Sequence, residues 1–435
     1  MERSDAAPVD PPVADLARAD RLAMEVLLDP ATRAQPYDHY RQLRETAPVH
    51  RASFGPLWFC TRYADCHQVL RDPAMVQAAT ALPGDPGPDE EAPGGGAGLF
   101  GTRRSRQEDP VVSRSLLRLN PPDHTRLRGL VSRGFTPRRI ERLRPAVGAR
   151  TDELLDAMAD AGEVDVLDAL GFPLPAWVIG ELVGVPASDR DRFRGLVRTA
   201  ATALEPGTSD DELAAAIEAN AEMQDYFRGL LATRRADRAD DLASALIAVQ
   251  EDHAGEGDRL TDEEVIATLI LIFAAGFETT TNLIGNGLLT LLRHPTETDR
   301  LRADPSLTEV AVEELLRVES PVQMDARRAS RDVDLAGHVV PAGEWVITFL
   351  GAANRDPDHF DDPEHFRLVP RPTSVLSFAS GVHYCLGASL ARLEGQEVFR
   401  RLLDRFGTIE LTEEPAWRAT FVLRGLQSLP VRLAA

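Results

Sequence analysis

The chain has 435 residues, 43% hydrophobic and 27% charged, a globular profile long enough to enclose a sizeable cofactor. A formal net charge of −21 argues against nucleic acid or an anionic membrane as the main partner. All 48 basic residues are arginine, so every permanently cationic contact is a guanidinium.

The first twenty residues carry acids and prolines without an apolar core, and read as a loose tail ahead of one domain over 21–435. Residues 49–61 flank Phe54-Gly55-Pro56 and predict a β-hairpin, followed by a helix over 63–70. The stretch 81–110, rich in glycine and proline, reads as a long loop, placed as a lid near a ligand entrance. From 123 to 201 the pattern is helical with breaks at Pro137, Pro145, 171–175 and Pro186; a longer helix follows over 210–234.

Residues 261–292 form a proline-free helix about 45 Å long. It opens on the capping box Thr261-Asp-Glu-Glu264 and is apolar on nearly every face, so it belongs in the centre of the fold. Its uninterrupted apolar run, 265–277, falls short of the roughly 20 residues a bilayer span needs. A helix over 308–319 precedes 333–340 and 345–350, which read as a small antiparallel sheet around Gly337 and Pro341-Ala342-Gly343. An irregular stretch, 351–384, leads into a final helix from Cys385 to about 405. The fold class is mainly α with a small β part, in a single large domain.

Three cysteines, Cys60, Cys66 and Cys385, are too few and too odd in number for a disulfide framework and suit a reducing cytoplasm. A lone cysteine is ordinarily a small buried hydrophobe. Cys385 sits differently, where a glycine-containing loop turns into a helix, and free N–H groups with the positive helix end favour thiolate. Gly381 permits a tight turn, Gly387 lets backbone approach a flat partner, and Phe378 offers a ring beside the sulfur.

The run Phe378-Ala-Ser-Gly381-Val-His383-Tyr-Cys385-Leu-Gly387 resembles the haem-binding signature of the cytochrome P-450 superfamily, of the soluble bacterial type. The resemblance extends in order from about 121 to 430. It implies the P-450 fold and haem b, iron protoporphyrin IX, with Cys385 as the axial metal ligand. In Ala275-Gly276-Phe277-Glu278-Thr279-Thr280-Thr281, composition alone is equally consistent with a helix kink. The resemblance makes Glu278 the acid and Thr279 the alcohol of a pair that delivers protons to dioxygen. Asn120-Pro-Pro-Asp-His124-Thr-Arg-Leu-Arg128 is similar to the helix that clamps a haem propionate through His124 and Arg128. Arg327, preferred over its neighbour Arg328, and His383 are similar to the remaining propionate contacts.

Glu314 and Arg317 share a helix face and, from spacing alone, make an ordinary ion pair. The resemblance makes them a buried structural brace whose third arm is Arg371 or Arg367, because Pro370 stands where bacterial relatives carry arginine. Val375 likewise replaces a customary histidine, and Ala353-Asn-Arg355-Asp-Pro357 reads as a structural turn.

No glycine-rich nucleotide fingerprint is present, so the electrons that monooxygenation requires come from elsewhere. Seven arginines between 126 and 144 read either as a solvated helix face or as a docking surface for an acidic ferredoxin, served by its reductase. Substrate contacts are expected from 81–110, 188–225, Leu271, Ala275, 322–325 and 421–423; Asp325 reads as solvent-facing, with pairing to a substrate amine as the alternative. The implied activity is insertion of one oxygen atom from dioxygen into a small hydrophobic organic substrate, by hydroxylation or epoxidation, in secondary metabolism. The alternatives are a peroxygenase or rearrangement enzyme on the same fold, or a non-catalytic recruitment domain.

Overall fold

The computed structural model describes residues 13–77, 110–252, 260–369 and 374–434. The expected lid loop lies almost wholly outside them, as do Pro370 and Arg371. Helix α1 (Val13–Leu28) begins within the segment expected as tail. It packs on α3 (Tyr37–Thr46) with Ala19 and Leu22 buried, so the tail expectation is corrected from residue 13 onward. Between them, α2 (Pro30–Ala34) is capped by the Asp29 carboxylate.

Strands β1 (Val49–Arg51) and β2 (Leu57–Cys60) form the expected hairpin, and α4 (Tyr63–Arg71) follows before β3 (Met75–Val76). The next helices are α5 (Pro110–Ser113), α6 (Asp123–Val131), α7 (Pro137–Glu141) and α8 (Arg144–Ala161). After strand β4 (Glu163–Asp165) come α9 (Pro173–Val183), α10 (Arg190–Ala201), α11 (Asp210–Ala236) and α12 (Leu242–Asp252). Pro137, Pro145 and Pro173 occupy first turns, where a missing N–H costs nothing; the expected breaks are helix starts.

Helix α13 (Asp262–Arg293) is closed at its start by the Thr261–Glu264 capping box. By length and composition the helix is apolar enough to cross a membrane, beyond what its 265–277 run suggested, yet most of its residues are buried inside the fold. It packs against α9, α11 and α17 (Ala388–Arg405), and against α15 (Thr308–Val318), which follows α14 (Pro295–Ala303).

The β part differs from expectation. Strands β6 (Val333–Leu335) and β7 (His338–Val340) pair only with each other. Strand β8 (Trp345–Phe349) instead runs parallel to β2 and antiparallel to β5 (Met324–Ala329), giving the sheet order β1-β2-β8-β5-β3. Its LWFC and WVITF strands carry mostly buried residues, so one strand's alternation could not name its partner. Helix α16 (Leu350–Ala353) follows β8 directly, while β9 (Thr408–Leu411) and β10 (Pro430–Ala434) join β4 in a three-stranded sheet.

Candidate functional site

The final helix begins at Ala388 rather than at Cys385, which leaves Cys385 in the loop just ahead of the helix. The loop is held by Cys385 N–H donating to the Phe378 carbonyl at 3.0 Å. Gly381 has φ +71°, and a Cβ there would lie 2.4 Å from the Leu70 carbonyl of α4. Glycine is therefore required both by conformation and by close approach. A Cβ on Gly387, in contrast, meets no atom within 4 Å.

Cys60 and Cys66 are buried, whereas Cys385 is accessible. Burial nevertheless pushes the Cys385 thiol up, while N–H groups of Gly387 and Ala388 and the charges of Arg128 and Arg392 pull it down. A side chain that is reachable yet poorly solvated lines a recess. The amides point at the sulfur as expected, but in the protein alone burial outweighs them. Arg392 lies 4.4 Å from the Phe378 ring and pairs with Glu313, fixing one wall of the loop.

Four expected propionate contacts converge. The rings of His124 and His383 lie 4.2 Å apart. His124 is held down to about 4 by burial, then by Arg128 and Arg327. His383 is held down to about 3 by burial, then by Arg327, His124 and Arg128. Both ring nitrogens of His124 and Nη2 of Arg327 are buried without a hydrogen-bond partner. Such a cluster of mutually repelling donors fits an anionic group with several acceptor oxygens. Arg327 is buried beside the two histidines, whereas the Arg328 Nε donates to the Gly343 carbonyl. Asp325 neither faces solvent freely nor waits for an amine: it pairs with Arg327.

Helix α13 supplies another wall. Although most of it is buried, Ala275 is exposed, and Leu271 and Thr279 are partly exposed. The spacing of four puts the three on one stripe. Thr279 Oγ1 donates to the Ala275 carbonyl at 2.7 Å. Its neighbour Glu278 turns elsewhere: buried, it accepts from Arg418 Nη1, with Arg198 of α10 3.7 Å from its other oxygen. Arg418 Nη2 also donates to Asn282, one turn on. Sequence reasoning missed Arg418, Arg198 and Asn282. A buried acid demands a cation, but with 48 arginines nothing in the pattern names which.

The brace forms around Arg317, which is fully buried. It grips both Glu314 oxygens at 2.8 Å and donates to the carbonyls of Asn354, Pro363 and His365. Among the described residues, Arg367 joins the brace through its main chain: its N–H donates to Glu314 at 3.2 Å, while its guanidinium binds exposed Asp362; Arg371 lies outside the described residues. In the expected turn, Asn354 bonds Ser320, Ser377 and Leu376, tying the brace to the cysteine loop.

The mainly helical fold thus gathers His124, His383, Arg128 and Arg327 near the loop that carries Cys385. The family profile described as Cytochrome P450 matches residues 211–424. Cytochrome P450 107B1 of Saccharopolyspora erythraea is 40% identical over 94% of this chain and 97% of its own. The polyketide biosynthesis cytochrome P450 PksS of Bacillus subtilis is 38% identical, over 92% and 96% respectively. Among solved structures, P450BioI in complex with hexadec-9Z-enoic acid ligated acyl carrier protein superposes with a TM-score of 0.82 at 35% identity, covering 93% of this chain and all of that one. The chain belongs to the cytochrome P450 family and is a P450 monooxygenase of bacterial type. That family implies a haem-thiolate centre, an organic substrate and dioxygen.

Proposed function

We propose that the protein inserts one atom of dioxygen into a C–H or C=C bond of a hydrophobic organic substrate, with haem b carried on Cys385. The observation that carries this reading is the convergence of orphaned His124 and Arg327 donors with His383 and Arg128 beside an accessible cysteine. His124, Arg128, Arg327 and His383 would receive the two haem carboxylates, and bare backbone at Gly387 leaves room for the ring. When bound, haem supplies the iron at which dioxygen is reduced, and the thiolate tunes its electron density.

The rest belongs to the chain's own side chains. Leu271 and Ala275 give the recess an apolar wall that excludes water. Thr279 Oγ1 spends its proton on the Ala275 carbonyl, so its lone pairs face the recess as acceptors. Glu278 holds the proton-exchanging carboxylate next along the helix, paired with Arg418 and flanked by Arg198. Transfer from Glu278 to the recess requires that carboxylate to loosen from its cations.

Electrons come from a separate ferredoxin and its reductase. Arg138, Arg139 and Arg142 line a concave patch with Thr136. Among the described residues Arg138 and Arg142 make no ion pair, unlike most arginines of the chain, which leaves their charge for an acidic partner. Three free thiols suit a cytoplasmic setting, and the polyketide-pathway relative supports a place in secondary metabolism. The test is the reduced protein under carbon monoxide. The red-shifted Soret band of a thiolate haem is expected in the unaltered chain and must vanish in Cys385→Ala; an unshifted band in the unaltered chain overturns the assignment.

A further inference from the structure

Glu313 and Glu314 stand side by side on α15, but only Glu314 is taken up by the Arg317 brace. Glu313 turns to α17, where Arg392 donates to both its oxygens, Nη2 to Oε2 at 3.1 Å. The same guanidinium donates through Nη1 to the Tyr384 hydroxyl at 3.0 Å and stacks 4.4 Å from the centre of the Phe378 ring. Those two residues frame the sulfur: the Phe378 carbonyl accepts from Cys385 N–H, and Tyr384 precedes Cys385 in the chain. One side chain therefore grips the cysteine loop at two points and is itself held at a third.

The charges are as informative as the contacts. Arg392 is close enough for its charge to act on the Cys385 sulfur, as is Arg128. In the haem reading Arg128 belongs to a propionate, whose negative charge offsets its own. The carboxylate that faces Arg392 is that of Glu313, and the pair is half-buried, so its field reaches the sulfur through protein rather than bulk water. A cation beside a metal-bound thiolate draws electron density from it and favours the reduced metal. An acid beside that cation cancels part of the effect.

We propose that Arg392 is the positioning residue of the cysteine ligand, and that the Arg392–Glu313 pair sets the reduction potential of the iron that Cys385 holds. This rests on reading Cys385 as the haem ligand. Arg392 raises the potential and Glu313 lowers it. The stack on Phe378 and the bond to Tyr384 fix the guanidinium at one distance from the sulfur, which keeps that balance constant.

The test is the reduction potential of the substrate-free, haem-loaded protein, read by optical redox titration at low salt in three variants. Arg392→Gln should lower the ratio of reduced to oxidised protein at a fixed potential by roughly tenfold, as expected for one half-buried charge at an effective dielectric of about 20. Glu313→Gln should raise the same ratio, because the Arg392 charge is then uncompensated. Arg392→Lys keeps the charge and should stay within about twofold of the unaltered chain. Loss of a merely structural tie would move Arg392→Gln and Glu313→Gln in the same direction. Shifts of the same sign, or no shift in either of those two, overturn the proposal, as does Arg392→Lys matching Arg392→Gln. If Arg392→Gln fails to retain haem, Glu313→Gln decides alone, and an unraised ratio overturns the proposal. The haem reading fails separately, at the carbon monoxide spectrum of the unaltered chain.

Discussion

Arg418 and Glu278 lie 140 residues apart in the chain, yet the guanidinium spans from Glu278 to Asn282 and closes over one turn of the central helix. A Cβ on Gly425 would lie 2.1 Å from Asn282 Oδ1 and 2.3 Å from Arg418 Nη2, so the clamp and this glycine are fitted to each other. Removing one partner of a buried ion pair costs more than the pair contributes, because a desolvated charge is left behind. Arg418→Gln should therefore destabilise the protein by about 3 kcal/mol, read from urea unfolding. Glu278 is then left with only Arg198 at 3.7 Å, and its carboxylate loses the contact that fixes its direction. Product formed per NADH should fall in the variant, and unchanged coupling would remove Glu278 from proton delivery.

Thr279 makes a different prediction because its hydroxyl bonds back within its own helix. Thr279→Ala loses that bond from a partly exposed position, so stability should change by no more than about 1 kcal/mol. NADH consumption should continue while product falls and hydrogen peroxide rises. Equal product per NADH in the variant would show that the hydroxyl has no part in the reaction.

Features written in local sequence were legible: the Thr261–Glu264 capping box, the hairpin at 49–61, and the tight turn at Gly381 in the cysteine loop. Contacts between distant segments were not. Periodicity in 345–350 gives a strand but not its parallel pairing with β2, almost 290 residues earlier. For Arg367, one of the two candidates for the third arm of the brace, a side-chain contact was expected, whereas its backbone N–H is what reaches Glu314. A main-chain donor has no signature in residue type.

The histidine pair makes stability depend on pH. His124 and His383 are depressed from 6.5 to about 4 and about 3, so the fold binds fewer protons than the unfolded chain across that interval. Their contribution is whole above pH 6.5 and drains away as pH falls towards 4 and then 3. The haem-free chain should lose urea resistance over that window, and His124→Gln should flatten the slope. Haem carboxylates bring opposite charge to the imidazoles, so the loaded protein should show a smaller acid loss. Identical slopes with and without haem would contradict the propionate assignment.

Charge reversal on α7 separates electron entry from chemistry. Arg138→Glu with Arg139→Glu should slow ferredoxin-driven turnover about tenfold or more, steeply at low salt, because exposed charges act mainly on encounter rate. Turnover driven by added peroxide needs no protein partner and should be untouched. A parallel fall in both assays would place the arginines in the fold rather than at a docking surface.

Two glycines near the cysteine should respond in opposite ways to the same added methyl group. Gly381→Ala forces a side chain into φ +71° and against the Leu70 carbonyl at 2.4 Å. Backbone there cannot retreat without moving α4, so a loss of more than about 2 kcal/mol is expected in the haem-free chain. Gly387→Ala meets no protein atom, and the haem-free chain should unfold within about 0.5 kcal/mol of the original. Its effect should emerge only on loading, as weaker haem retention measured by transfer to apomyoglobin, because the added methyl occupies the space the ring needs. If Gly387→Ala retains haem as the unaltered chain does, the ring does not lie against Gly387, and the donor cluster around His124 must serve a group placed elsewhere.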